Sequence, residues 1–171
     1  MGKTLVGIVA PNNFGKSCAL LSLYRAFEKS KNAELVEIIY PKKKIQHDVV
    51  AIFNVKLENG KIIKIGVSGL GDHRKQIVDS FSKMLDRCDI IIFACRPEFA
   101  NKKGNTEWIE KLNWNYITTS VLHNNYAPRI SLKQTAKPED HYIVDGINLN
   151  EIFIQNIINL INNITGSKIV L

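Results

Sequence analysis

Gly15, Lys16 and Ser17 stand in succession, and residues of these types in this order can do chemistry on a phosphate. They close the segment Ala10-Pro11-Asn12-Asn13-Phe14-Gly15-Lys16-Ser17, which follows the apolar run Leu5-Val6-Gly7-Ile8-Val9 and leads into a helical period. A strand, a tight loop and a helix in that order let successive backbone N–H groups curl around an anion, and the helix N-terminus adds positive potential. Gly15 permits the close approach, Lys16 is expected to bridge the β- and γ-phosphates, and the Ser17 hydroxyl suits Mg²⁺. The expected nucleotide-binding set is Ala10, Pro11, Asn12, Asn13, Phe14, Gly15, Lys16, Ser17 and Cys18. Such a match arises by chance on the order of once in a hundred chains of this length.

A second group belongs at the end of a neighbouring strand, where an acidic residue is needed to hold the metal indirectly and to orient the attacking group. The run 61–67 ends in Ser68-Gly69-Leu70-Gly71-Asp72-His73, so no Asp closes the strand itself. Asp72 is therefore expected to be either an outer-sphere Mg²⁺ partner or a base that orients water, although its position also suits the cap of the next helix. The Gly71 amide is a candidate sensor of the γ-phosphate. Arg96, after the apolar run 89–95, could reach a phosphate or pair with a surface acid. Lys16, Asp72 and Arg96 are thus the expected catalytic residues, with Ser17 and Asp72 as the metal residues.

Elements that would position these groups follow from hydrophobic period. Strands are expected at 4–10, 34–40, 49–56, 61–67, 89–95 and 116–122. Helices are expected from 15 to about 28 (Leu20, Leu23, Tyr24, Phe27), over 74–87 (Ile77, Phe81, Leu85), over 106–112, and from about 148. The last carries the stripe Ile154, Ile157, Ile158, Ile161 and Ile164. Alternation of strands and helices predicts a parallel sheet covered on both faces. One exception is a four-residue link, Leu57-Glu58-Asn59-Gly60, whose Asn-Gly pair makes an antiparallel hairpin. The hairpin tip then lies opposite the phosphate loop, and residues 41–48 lie beside that loop. Residues 123–147, with Pro128 and Pro138, read as a long loop of the kind that forms lids.

The strand, the loop with Gly15-Lys16-Ser17 and the helix resemble the P-loop NTPase superfamily over most of the chain, with Ala10 in place of the first glycine. The resemblance implies a single domain over 1–171 with a three-layer α/β/α P-loop NTPase fold, its sheet mostly parallel with one antiparallel hairpin. Aligned on Gly71 with Ras-type GTPases, the chain has Ser68 in the place of their Asp and Asp72 in the place of their Gln. Segments 65–72 and 88–96, with Thr106 opening a helix, also look like small prokaryotic and phage-type P-loop proteins without an assigned substrate.

Guanine selection uses Asn-Lys-x-Asp, and here Asn101-Lys102 continues as Lys103-Gly104. ATP with Mg²⁺ is therefore expected over GTP. Three outcomes stay open: hydrolysis or a nucleotide switch, with Asp72 or a group on 41–48 orienting water; a kinase with 123–147 as lid and Arg129, Lys133 or Lys137 as clamps; or a binding module without catalysis.

Composition bounds these readings. A chain of 171 residues buries enough core without disulfides, and Cys18, Cys88 and Cys95 lack the spacing of a zinc site. No apolar run reaches the roughly 18 residues of a membrane span, and the N-terminus runs directly into a strand, so a cytoplasmic protein without membrane contact is expected. A net charge of +7 suits acidic partners. Lys42, Lys43, Lys44, Arg74, Lys75, Arg96, Lys102 and Lys103 would form a basic rim for a polyanionic substrate or nucleic acid.

Overall fold

The computed structural model describes residues 4–9, 16–41, 48–71, 74–95, 115–117 and 146–171. In chain order the elements are β1 (Thr4–Val9), α1 (Lys16–Lys29), β2 (Ala33–Tyr40), β3 (Val50–Lys56), β4 (Ile62–Ser68), α2 (Arg74–Met84), β5 (Ile90–Cys95), β6 (Asn115–Ile117) and α3 (Gly146–Thr165). The expected helix over 106–112 and residues 123–145 of the expected lid lie outside the described residues.

Among the described residues six strands form one sheet in the order β2-β3-β4-β5-β1-β6. β5 pairs parallel with both β1 and β4, and β6 pairs parallel with β1, whereas β2–β3 and β3–β4 are antiparallel. The expected three-layer P-loop NTPase architecture, with its mostly parallel sheet and single antiparallel hairpin, is thereby corrected. The sheet is mixed, and β2, β3 and β4 form an antiparallel meander that occupies half of it. The reason is connection length. Parallel neighbours need a crossover of about a dozen residues or more, and residues 41–49 between β2 and β3 are too few. Nor does β4 lie against β1, because β5 is inserted between them.

The hairpin itself forms as its turn chemistry demands. Gly60 adopts φ 82°, a left-handed conformation open to glycine. Its N–H donates to the Leu57 carbonyl at 2.9 Å, and the Lys61 N–H donates to Asn59 Oδ1 at 3.0 Å. At this same end Asp89 joins three strands: its carboxylate accepts from the Lys64 N–H at 2.8 Å, and its carbonyl accepts from the Thr4 N–H at 2.9 Å.

Strand pleating sorts the core into two faces. Val6, Ile8, Ala51, Phe53, Val55, Ile63, Ile65, Val67, Ile90 and Ile92 pack with α1 and α3. Val50, Ile52, Ile91 and Phe93 pack with Phe81 and Met84 of α2. Phe53 meets the rings of Tyr24 and Phe27 at 5.4 and 5.3 Å, and Phe81 meets Phe93 edge-on at 4.8 Å. The helical stripes behave as their period requires: Leu20, Leu23, Tyr24 and Phe27 of α1 are buried, as are Ile157, Ile158 and Ile161 of α3. Among the described residues no helix is long and apolar enough to cross a membrane.

Tyr24 couples this core to pH. Its ring is buried, and its hydroxyl donates to Glu28 Oε1 at 3.1 Å. Burial first, then the bond to Glu28 and the nearby Glu28 charge, push its pKa from 10.0 up to about 12, with Arg25 opposing. A raised folded-state pKa contributes stability that is complete below the unfolded value and is lost as pH rises through the folded one. Denaturant unfolding should therefore show stability falling between pH 10.0 and about 12, and Tyr24→Phe should flatten that fall.

Candidate phosphate site at the carboxyl edge of the sheet

Because β4, β5 and β1 run parallel, their carboxyl ends emerge together along one edge. α1 begins at that edge. Lys16 is its first residue, only 5% exposed, and Ser17 is its second. Cys18 is half-buried in the same first turn. Residues 10–15, the body of the expected phosphate loop, lie outside the described residues. The elements that flank them are in place: β1 ends at Val9, and α1 opens with the lysine and the hydroxyl. An α-helix presents unsatisfied N–H groups and a partial positive charge at this end, and a lysine there adds to the attraction for an anion.

A second strand reaches this first turn. Ser17 Oγ donates to the Gly69 carbonyl at 3.1 Å, across a gap of 52 residues in sequence. Gly69 directly follows β4, so the contact ties the start of α1 to the exit of that strand. Nothing in the motif around Ser17 pointed to Gly69, because a backbone acceptor leaves no side-chain signature.

The side chain at the end of β4 looks the other way. Ser68, expected from the resemblance in the place of the Ras-type Asp, is fully buried, and its hydroxyl donates to Ser80 Oγ of α2 at 3.2 Å. Pleating explains the direction: Ile63, Ile65 and Val67 pack toward α1 and α3, so Ser68 projects toward α2. Ser68 thus helps dock α2.

Residues 41–48 were expected beside the phosphate loop, and the two described members of that segment bear on this. Pro41 follows the end of β2, and Asp48 precedes β3. The Gly69 N–H donates to the Val49 carbonyl at 2.7 Å, extending the β3–β4 ladder by one step. A Cβ added to Gly69 would lie 3.2 Å from the Val49 nitrogen, 3.4 Å from Asp48 Cα and 3.6 Å from Asp48 Oδ1. The hairpin register carried the clue, since pairing Val50 with Ser68 sets Val49 against Gly69.

Gly71 lies against the end of β5. A Cβ there would come within 2.5 Å of the Ala94 carbonyl oxygen and 2.6 Å of the Ala94 Cβ. Ala94 pairs with Ile8 of β1, so Gly71 is held one strand away from the entry to residues 10–15. Asp72, His73, Arg96, Lys42, Lys43, Lys44, Lys102, Lys103, Arg129, Lys133 and Lys137 lie outside the described residues. Among the described residues no group of three or more His, Cys, Asp or Glu could hold a metal on its own. Magnesium in a triphosphate site takes only one or two protein oxygens, with phosphate and water completing its shell, so Ser17 and one carboxylate are a sufficient donor set.

No family model matches the chain, and neither a curated protein nor a solved structure matches it.

The packing at Gly71 yields a direct test. Gly71→Ala forces a methyl against a backbone carbonyl and should cost about 1–3 kcal/mol of stability. Gly66→Ala should cost less, since its nearest contact, at 2.7 Å, is the flexible Met84 Sδ. Urea unfolding of the two variants checks the order.

Proposed function

We propose that this chain binds a nucleoside triphosphate with its phosphates at the start of α1, as a Mg²⁺-dependent ATPase or nucleotide switch. The observation that carries the reading is that Lys16 and Ser17 open α1 at the carboxyl edge of β1, with Ser17 tied to the exit of β4. Strand, loop and helix in this order are what a phosphate cradle needs, and a mostly parallel sheet is not required for it. Lys16 pairs with the β- and γ-phosphates, and Ser17 offers its hydroxyl to the metal. When bound, Mg²⁺ would neutralise charge on the phosphate oxygens. ATP is preferred to GTP because Asn101-Lys102-Lys103-Gly104 lacks the guanine-gripping Asp. Asp72 remains the candidate water-orienting group, and Arg96 a candidate phosphate contact. The +7 charge favours a polyanionic substrate or nucleic acid as partner.

Equilibrium titration with a fluorescent ATP analogue tests the reading. Lys16→Ala removes a charge-assisted contact worth about 1.5–3 kcal/mol and should weaken binding by roughly tenfold to a hundredfold. Affinity unchanged in Lys16→Ala would sink the proposal. Turnover that is the same in Asp72→Ala as in the native chain would remove Asp72 from the mechanism.

A further inference from the structure

We infer that Asp48 supplies the carboxylate that positions the Mg²⁺ of the bound triphosphate through a water molecule, in the role that the end of β4 leaves unfilled. The inference rests on the phosphate-binding reading above. In such a site the metal sits beside the Ser17 hydroxyl, and a carboxylate one water away completes its surroundings.

β4 has no side chain to offer there. The backbone that touches Ser17 belongs to Gly69, which has none, and the preceding Ser68 is turned to Ser80 and α2. The space that a side chain at position 69 would enter is bordered by Asp48, with Oδ1 3.6 Å from the ideal Cβ position. The Asp48 carboxylate, just ahead of β3, therefore borders the volume that a side chain at position 69 would enter. The two residues account for each other: a Cβ at 69 would crowd the Val49 nitrogen at 3.2 Å and Asp48 Cα at 3.4 Å, so glycine there leaves room for the Asp48 backbone.

Asp48 is also well anchored. Val49 is fully buried, its carbonyl accepts from the Gly69 N–H at 2.7 Å, and Val50 then enters the ladder opposite Ser68. The main chain on either side of the Ser17–Gly69 contact is thus tied to the residue after Asp48. Asp48 itself is half-buried. Both groups that flank Gly69, the Ser17 hydroxyl and the Asp48 carboxylate, offer oxygen, which fits a hard cation such as Mg²⁺.

Binding of a fluorescent, non-hydrolysable ATP analogue, measured in EDTA and again in excess Mg²⁺, tests the assignment in native chain, Asp48→Asn and Asp72→Asn. The native chain should bind more tightly with Mg²⁺. Asp48→Asn should keep the EDTA affinity and lose about 10–100-fold of the metal-dependent gain, the usual effect of removing an outer-shell partner. Asp72→Asn should keep most of that gain. If Asp48→Asn retains the full gain, or weakens binding equally with and without metal, the inference is overturned while the phosphate reading stands. If the native chain binds in neither condition, the phosphate reading itself fails. Should Asp48→Asn melt below the assay temperature, Asp48→Ser provides the same comparison.

Discussion

Burial of the central strands on both faces is the constraint from which the other features follow. β3 and β5 carry apolar side chains on alternate residues toward α1 and α3 and on the intervening residues toward α2, whereas β4 sends Ile63, Ile65 and Val67 toward α1 and α3 and only Gly66 and Ser68 toward α2. A strand buried on both sides cannot slip by one residue without sending a whole set of side chains to the wrong helix. Register is therefore rigid through the middle of the sheet, and the carboxyl ends of β4, β5 and β1 are held at one edge. α1 is docked by Leu20, Leu23 and Phe27 against this frame, which fixes where Lys16 and Ser17 emerge.

That edge is assembled from backbone contacts more than from side chains. Ser17 finds a carbonyl at Gly69, Gly69 finds a carbonyl at Val49, and Gly71 lies flat on Ala94. Each glycine permits a close approach, and together they bring the exit of β4 to the first turn of α1 although β5 separates β4 from β1. Ser68, the last residue of β4, serves the opposite face through Ser80. The proposed role of Asp48 follows from the same geometry, since the ladder that anchors Gly69 also delivers the neighbouring strand's entry to that spot.

Much of the local structure was legible. The stripes of α1 and α3, the alternating strands and the Asn59-Gly60 turn are encoded by neighbours in sequence, and they appear within a few residues of where the pattern places them. The mostly parallel sheet with a single antiparallel hairpin was not borne out, because β2 also folds back on β3 through a link too short for a crossover. Hydrophobic alternation reports that a strand is buried, but it is blind to which neighbour lies beside it and in which direction. Insertion of β5 between β4 and β1 is likewise a choice among topologies with the same pattern. Of the candidate site, Lys16 and Ser17 could be read from type and spacing and the end of the sheet where Asp48 lies from the hairpin, whereas the contact of Ser17 with Gly69 could not.

By itself, then, the sequence determined the spacing of Gly15, Lys16 and Ser17, the periods of its strands and helices, and the hairpin, because each depends on residues a few positions apart. Tertiary structure alone decided the mixed sheet, the turning of Ser68 toward α2, and the contact of Ser17 with Gly69 beside Asp48. Those contacts join residues tens of positions apart, and their free energy exists only after the double-sided core has fixed the register that brings the three together.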